Sequence, residues 1–288
     1  MKNTSVFNAY VELTKPKILS LVLVTTTLGY YLGGRGIVSY EGLLWLLAGA
    51  GMVCAGSGVL NNYLERDIDC KMLRTKDRPI PSGMVSPAQA LNFGIILVLF
   101  GIVVLSLKLN LLTAFLSLLT AFLYVLVYTP MKRLSWLNTT IGSIPGALPP
   151  MGGWAAATNN LDFGAWALFF ILFVWQHPHF FAIAWMYRED YKRGGFKMLP
   201  VLDPSGKTTF QQIIIFSIIL IPVSILPVLI GISGKIYLTG ALILACILLA
   251  IGINFAQTKS NSDARKLLKA TVFYLPILLI LIVLDTSF

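Results

Sequence analysis

Six stretches of this 288-residue chain, 18–32, 95–107, 111–128, 213–230, 236–255 and 271–284, are almost unbroken in apolar residues. They approach the ~20 residues that an α-helix needs to cross a bilayer's hydrocarbon core. Apolar residues make up 57% of the chain and charged residues 12%, about half the ~25% charged fraction of an ordinary soluble domain. A soluble globule could not hide that much apolar surface, so helices buried in lipid are the expected architecture. With the less apolar stretches included, nine spans are predicted, at about 17–34, 42–64, 88–107, 110–129, 139–157, 164–187, 211–231, 236–256 and 268–285. The chain reads as all-α, one polytopic transmembrane domain over 1–288.

The net charge of +10 does not point to nucleic acid, because the basic residues sit between apolar segments rather than on one face of a soluble module. Membrane topology accounts for them. With nine spans, 19 of the 22 basic residues fall in segments on one side, and only Arg35, Lys108 and Lys235 on the other. The positive-inside rule then predicts N-in, C-out. Cys54, Cys70 and Cys246 show no metal or disulfide spacing. The stretch 1–11, followed by Glu12, reads as neither a secretory signal nor a transit peptide.

Two inside connections, 66–87 and 188–209, are long and hold half of the chain's 12 acids, and long connections in compact helical proteins are commonly functional. At the end of the second span, Asn61, Glu65 and Asp69 are spaced i, i+4 and i+8, with Asn62 three residues before Glu65. A continuing helix would gather these four oxygen-bearing side chains on one flank. Two carboxylates and two amides suit a hard divalent cation, and Mg²⁺ is commonly held by one or two carboxylates together with substrate phosphates. Downstream, Arg74, Lys76 and Arg78 offer donors for phosphate oxygens, and the run Pro79, Ile80, Pro81, Ser82, Gly83 can turn the chain back over the site. A solvated helix end with positive-inside charges is the plainer reading of the same residues.

The second cluster is Arg188, Glu189 and Asp190, with Lys192, Arg193 and Lys197 around it. It reads equally as a metal site or an exposed loop. Tyr128, Lys132 and Arg133 follow the fourth span, and the fifth carries Pro145, Pro149 and Pro150, whose freed carbonyls need partners or water, as beside a cavity. The two histidines, His177 and His179, flank Pro178 within the sixth span. Ionisable groups there are functional candidates, and imidazole is a good ligand for haem iron. His179 and Asp190 lie eleven residues apart, which on an undistorted helix places them on one face. Pro178 is expected to open the helix near Val174.

Together these segments resemble the UbiA-type intramembrane prenyltransferases, whose signature Asn-Asp-x-x-Asp-x-x-x-Asp is followed by Arg-Thr-x-x-Arg-Pro-x-Pro-x-Gly. Here the first part reads Asn61, Asn62, Glu65, Asp69, and the second runs from Arg74 to Gly83. Asn62 and Glu65 stand where aspartates are usual, and Tyr187 stands where many quinone-pathway relatives have an aspartate. Three further stretches resemble the haem O synthase branch: 128–133, 175–180, and 187–191 with 197–201. The resemblance spans essentially the whole chain. It implies a bundle around a central cavity, Mg²⁺ as cofactor, farnesyl diphosphate as donor and haem B as acceptor substrate, with haem O as product. It also implies a bacterial or archaeal cell membrane as location, with active-site loops in the cytoplasm, membrane lipid as surroundings and a haem A synthase as candidate partner. Under it, Asn62, Glu65, Asp69 and Lys132 are assigned to catalysis and Asn61, Glu65, Asp69 and Asp190 to metal. Arg74, Arg78, Tyr128, Arg133, His177, His179, Arg188, Glu189 and Asp190, with Asn61, are assigned to substrates.

Two alternatives stay open. Prenyl transfer to a quinone precursor such as 4-hydroxybenzoate would use the same donor site, and a transporter would also place polar groups in broken helices. The His-Pro-His segment disfavours the first, and acids concentrated at one membrane face disfavour the second.

Overall fold

The computed structural model describes residues 5–286, so Lys2 lies outside the described residues. Helices start where a polar residue interrupts the apolar run. Ser39, Asn110, Asp162 and Ser260 each accept a backbone N–H from the first turn that follows. Ser86 and Gln89 form a capping box with Pro87 at the first helical position. The chain runs α1 (Val6–Leu13), α2 (Pro16–Gly33), α3 (Tyr40–Asp69), α4 (Pro87–Lys108) and α5 (Leu111–Phe122). A π-helical turn (Leu123–Tyr128) leads directly into α6 (Thr129–Leu134), so that 111–134 is one rod. Then come α7 (Asn138–Thr158), α8 (Phe163–Met186), the short α9 (Arg188–Arg193) and α10 (Leu199–Leu202), α11 (Lys207–Leu229), α12 (Lys235–Thr258) and α13 (Asn261–Leu284).

Seven of the described helices, α3, α4, the 111–134 rod, α8, α11, α12 and α13, are long and apolar enough to cross a membrane. The nine-span expectation adds α2 and α7, which pack along each other. That pair is very close: a methyl group on Gly29 would lie 1.9 Å from the Pro150 carbonyl oxygen, and one on Gly153 would lie 1.9 Å from that of Thr26. Small residues allow such backbone approach where lipid supplies no hydrophobic drive between helices. The lipid-type surface is carried by outward Leu, Ile, Val and Phe such as Ile96, Leu107, Phe115, Phe163 and Leu284.

The interior divides in two. A large core joins α7, α8, α11, α12 and α13 around Leu168, Ile171, Phe181, Phe255 and Leu278, and a smaller one joins α2 to α5 around Leu46, Val53 and Leu105. At one end of the bundle, Ile68, Met72, Ala184, Phe196 and Met198 form an apolar clasp. It joins the end of α3 to the end of α8, and so holds the two long connections beside each other.

One expectation is corrected here. His179 and Asp190 do not share a helix face, because α8 stops at Met186. Tyr187 leaves helical geometry at φ −107°, ψ 19°, and α9 starts a new axis. Pro178 is accommodated within a helix that continues from Phe163 to Met186.

Candidate active site

Because α3 continues without a break to Asp69, Asn61, Glu65 and Asp69 stack one turn apart on one flank. All three are enclosed, at 1%, 5% and 0% exposure. Each oxygen set faces a cation. Lys132 Nζ donates to Glu65 Oε1 at 2.8 Å, Arg78 Nη1 to Asp69 Oδ2 at 2.8 Å, and Lys15 Nζ to Asn61 Oδ1 at 2.5 Å. The second oxygen of Asp69, Oδ1, is buried with no hydrogen-bond partner, the only carboxylate oxygen in that condition among the described residues.

Local chain geometry aims these cations. Thr75 Oγ1 donates to the Asp69 carbonyl (3.1 Å) and Arg78 N to the Thr75 carbonyl (3.0 Å), while Gly83 turns at φ 78°. The segment after α3 thereby folds back and returns Arg78 to Asp69. On the 111–134 rod, Pro130 has no N–H for the helix ladder, and the chain widens into the π turn just before it. Thr129 bridges the result: its hydroxyl donates to the Tyr124 carbonyl (2.8 Å) and accepts from Asn61 Nδ2 (2.9 Å). Tyr124, Tyr128 and Lys132 then line up against α3, with the Lys132 ammonium 4.7 Å from the Tyr128 ring centre and 5.7 Å from that of Phe196.

Lys15 lies in the corner between α1 and α2, where residues usually face water. It is half-buried with its ammonium driven inward, and burial first, then the neighbouring Arg78 cation, bring that ammonium down to about 7. The sequence pattern assigns no role to Lys15, Tyr124 or Thr129, although Thr129 lies in the 128–133 stretch. The available signals were a lysine directly before the helix-starting Pro16 and a Thr-Pro pair late in an apolar span.

The remaining predicted residues divide. Arg74 is at the same end, exposed, with its guanidinium 5.1 Å from the Tyr187 ring centre and 5.9 Å from that of Tyr191. Asp190 accepts from Leu73 N (3.2 Å) and from Arg193, and the Arg193 bond holds its carboxyl below the usual range. No three His, Cys, Asp or Glu side chains among the described residues gather to hold an ion, so Asp190 does not join Glu65 and Asp69 in one acidic cage. Asn62 spends its amide on the Leu13 and Gly58 carbonyls (3.3 and 2.9 Å). Arg188 turns away, to the Trp185 carbonyl (2.7 Å) and Asn261 (3.1 Å), and Glu189 and Arg133 are exposed.

The histidines sit elsewhere, among α7, α8, α11 and α13. His177 is fully buried and stacked on Phe216, with ring centres 3.5 Å apart. Its Nδ1 faces the Phe173 carbonyl (2.8 Å), which can only accept, so Nδ1 carries the proton and Nε2 accepts from Thr140 (3.3 Å). His179 Nδ1 meets Thr271 Oγ1 at 2.8 Å. That hydroxyl donates to the Leu268 carbonyl (2.7 Å), so His179 Nδ1 must donate to it, and Nε2 keeps a lone pair with no hydrogen bond among the described residues.

Buried acids at a helix end, a cation on each of them and a basic turn beside them make an enclosed, strongly polar cluster at one end of an apolar bundle. The model of the UbiA prenyltransferase family matches residues 22–277. This chain belongs to the UbiA prenyltransferase family. It is thus a membrane-bound prenyltransferase. A protoheme IX farnesyltransferase of Solibacter usitatus (strain Ellin6076) is 45% identical over 285 residues, 96% of this chain and 98% of its own length. Among solved structures, a digeranylgeranylglyceryl phosphate synthase superposes with a TM-score of 0.82 at 20% identity, over 97% of this chain and 98% of that one. A UbiA homologue from Archaeoglobus fulgidus bound to GPP and Mg²⁺ superposes with a TM-score of 0.64 at 16% identity, over 96% of this chain and 99% of that one.

Proposed function

We propose that this prenyltransferase moves the farnesyl group of farnesyl diphosphate to a vinyl group of haem B, giving haem O and diphosphate. The observation that carries the donor half is the buried row Asn61, Glu65, Asp69, each faced by a cation. The acceptor half rests on the near full-length similarity to the Solibacter protoheme IX farnesyltransferase and on a histidine with a free Nε2 in an apolar span.

In this reading the allylic C1–O bond breaks and its electron pair leaves with the diphosphate. The vinyl π electrons form the new C–C bond, and water adds to the carbon left electron-poor and gives up a proton. Glu65, the unpartnered Asp69 Oδ1 and the Asn61 amide oxygen are suited to a magnesium ion, and the Archaeoglobus homologue that shares this fold is bound to GPP and Mg²⁺. When bound, Mg²⁺ would draw negative charge from the leaving diphosphate. Arg78 and Lys132 can turn their donors from the carboxylates to diphosphate oxygens as the charge there grows. Arg74, on the same side, adds a guanidinium fork. The Tyr124 and Tyr128 rings, beside the site, can stabilise an allylic cation through their faces, and the apolar interior delays its capture by water. His179, rather than His177 with its two occupied nitrogens, is the candidate for haem iron.

The bundle crosses the membrane nine times around a central cavity in this proposal, with α2 and α7 as the two further spans. The acid-bearing end faces the cytoplasm of a bacterial or archaeal cell, a reading supported by the excess of basic residues on that side, and a haem A synthase is the candidate recipient of the product. Incubation of the purified protein with haem B, farnesyl diphosphate and Mg²⁺, with mass spectrometry of the pigment, tests the reading. A pigment heavier by one farnesyl group and one hydroxyl group is expected. Unaltered haem alongside prenylated 4-hydroxybenzoate in a parallel incubation would overturn it in favour of quinone chemistry.

A further inference from the structure

The corner that carries Lys15 is built onto α3. Asn62 Nδ2 donates to the Leu13 carbonyl at 3.3 Å and to the Gly58 carbonyl at 2.9 Å. Gly58 packs directly against the corner: a methyl group there would be in van der Waals contact with it, 3.4 Å from the Leu13 and Thr14 carbonyl oxygens and 3.6 Å from Lys15 Cγ. Lys15 itself has φ 55° and ψ 61°, a left-handed conformation that a non-glycine residue keeps only where its surroundings impose it. From this corner the side chain reaches Asn61 Oδ1 at 2.5 Å and the Tyr124 hydroxyl at 3.3 Å. A lysine ordinarily buries its stem and leaves its ammonium in water. Here the ammonium points inward.

The three cations of the site are not equivalent. Lys132 has Glu65 and Arg78 has Asp69 as ion-pair partners. Lys15 makes no ion pair among the described residues, and its contacts are a neutral amide and a phenol. A buried cation without a counter-charge is unfavourable unless an anion completes it. We propose that Lys15 is a further cation of the diphosphate subsite beside Arg78, Lys132 and Arg74, delivered by the corner between α1 and α2, and that Asn62 is a positioning residue that holds this corner instead of a metal. The inference rests on the transferase reading, in which a prenyl diphosphate binds at this end of the bundle.

The test is isothermal titration calorimetry of the full-length protein in detergent with farnesyl S-thiolodiphosphate, a donor analogue with a stable C–S bond, in the presence of Mg²⁺. Lys15→Gln keeps a donor for Asn61 and removes the charge. It is expected to weaken the analogue about tenfold or more, the scale of one lost hydrogen bond to a charged group, with the melting temperature unchanged. Lys15→Arg should recover much of the affinity. Asn62→Ala should weaken binding as well, and the Lys15→Gln/Asn62→Ala double variant should bind no more weakly than Lys15→Gln, since both changes act through one ammonium. Wild-type affinity in Lys15→Gln, or a fall in Lys15→Gln that Lys15→Arg does not recover, overturns the role of Lys15. Fully additive losses overturn the positioning role of Asn62. A wild-type protein that does not bind the analogue overturns the transferase reading and this inference with it, whereas tight wild-type binding with unaffected variants overturns only the inference.

Discussion

Lys132→Met should destabilise the ligand-free protein and Glu65→Gln should repair it. The Lys132 ammonium and the Glu65 carboxylate are 2.8 Å apart, with side chains only 13% and 7% exposed. At an effective dielectric constant of ~20, that separation corresponds to about 6 kcal/mol of attraction. Much of this is spent on desolvating the two ions, so the pair itself adds little net stability. Removing one member is different, because it strands a buried charge, at about 3–5 kcal/mol. For a chain of this size the loss should lower the melting temperature in detergent by roughly 10 °C. The double variant Glu65→Gln/Lys132→Met contains no stranded ion and should regain most of that loss. Scanning fluorimetry of the four proteins without Mg²⁺ or donor gives the comparison, and diphosphate release gives a second one. All three variants should be inactive, so stability is rescued while activity is not. A Lys132→Met protein that melts with the wild type, or a double variant that melts below both single ones, would refute a buried, mutually neutralising pair.

Asp69→Asn should abolish diphosphate release with the fold retained, because it removes the carboxylate charge at the unpartnered Oδ1 yet leaves an amide oxygen for Arg78, whose side chain is 23% exposed and keeps access to water; near-normal release at limiting Mg²⁺ would count against it. Arg78→Lys keeps a cation near Asp69 but loses the guanidinium fork, so KM for the farnesyl donor should rise while KM for haem stays put. Gly153→Ala places a methyl 1.9 Å from the Thr26 carbonyl oxygen, so α2 and α7 must separate. A loss of about 1–3 kcal/mol or more is expected, visible as a lowered melting temperature. For haem, titration followed by absorption should show a lost or shifted band with His179→Ala and a band like that of the wild type with His177→Ala. Wild-type spectra and affinity in both variants would remove the histidines from the acceptor site.

How much of this was legible in the sequence follows from the range of the interactions involved. The helices were visible because lipid demands long apolar runs and because polar caps such as Ser39, Asn110 and Ser260 punctuate them. The row Asn61, Glu65, Asp69 was visible because a helix converts a spacing of four directly into a shared flank, and α3 continues through all three residues. The same rule failed for His179 and Asp190, since nothing local announces that the helix ends at Met186 and restarts at Arg188. Partnerships across the bundle were not legible either. Lys132 is 67 residues from Glu65 and Lys15 is 46 from Asn61, and Arg188 was grouped with Asp190 by proximity in sequence although its side chain serves Trp185 and Asn261.

The missed residues share a physical feature that explains both why they were missed and why they belong to the site. Each is presented by a departure from regular helix: Lys15 by a left-handed corner, Tyr124 and Thr129 by a π turn ahead of Pro130, and Arg78, though found by its motif, by a loop that doubles back past Gly83. A straight helix can lay oxygens in a row on one flank, but it cannot bring cations onto that row from three directions. Doing so requires chain segments that bend towards it, and bends are specified by packing rather than by periodicity. Local sequence rules therefore fail most where the site is assembled. This also separates two kinds of residue within the first signature. Asn61, Glu65 and Asp69 supply oxygens to the row, whereas Asn62, a neighbour in sequence, turns its amide to the Leu13 carbonyl and so serves the corner that brings Lys15 to the row.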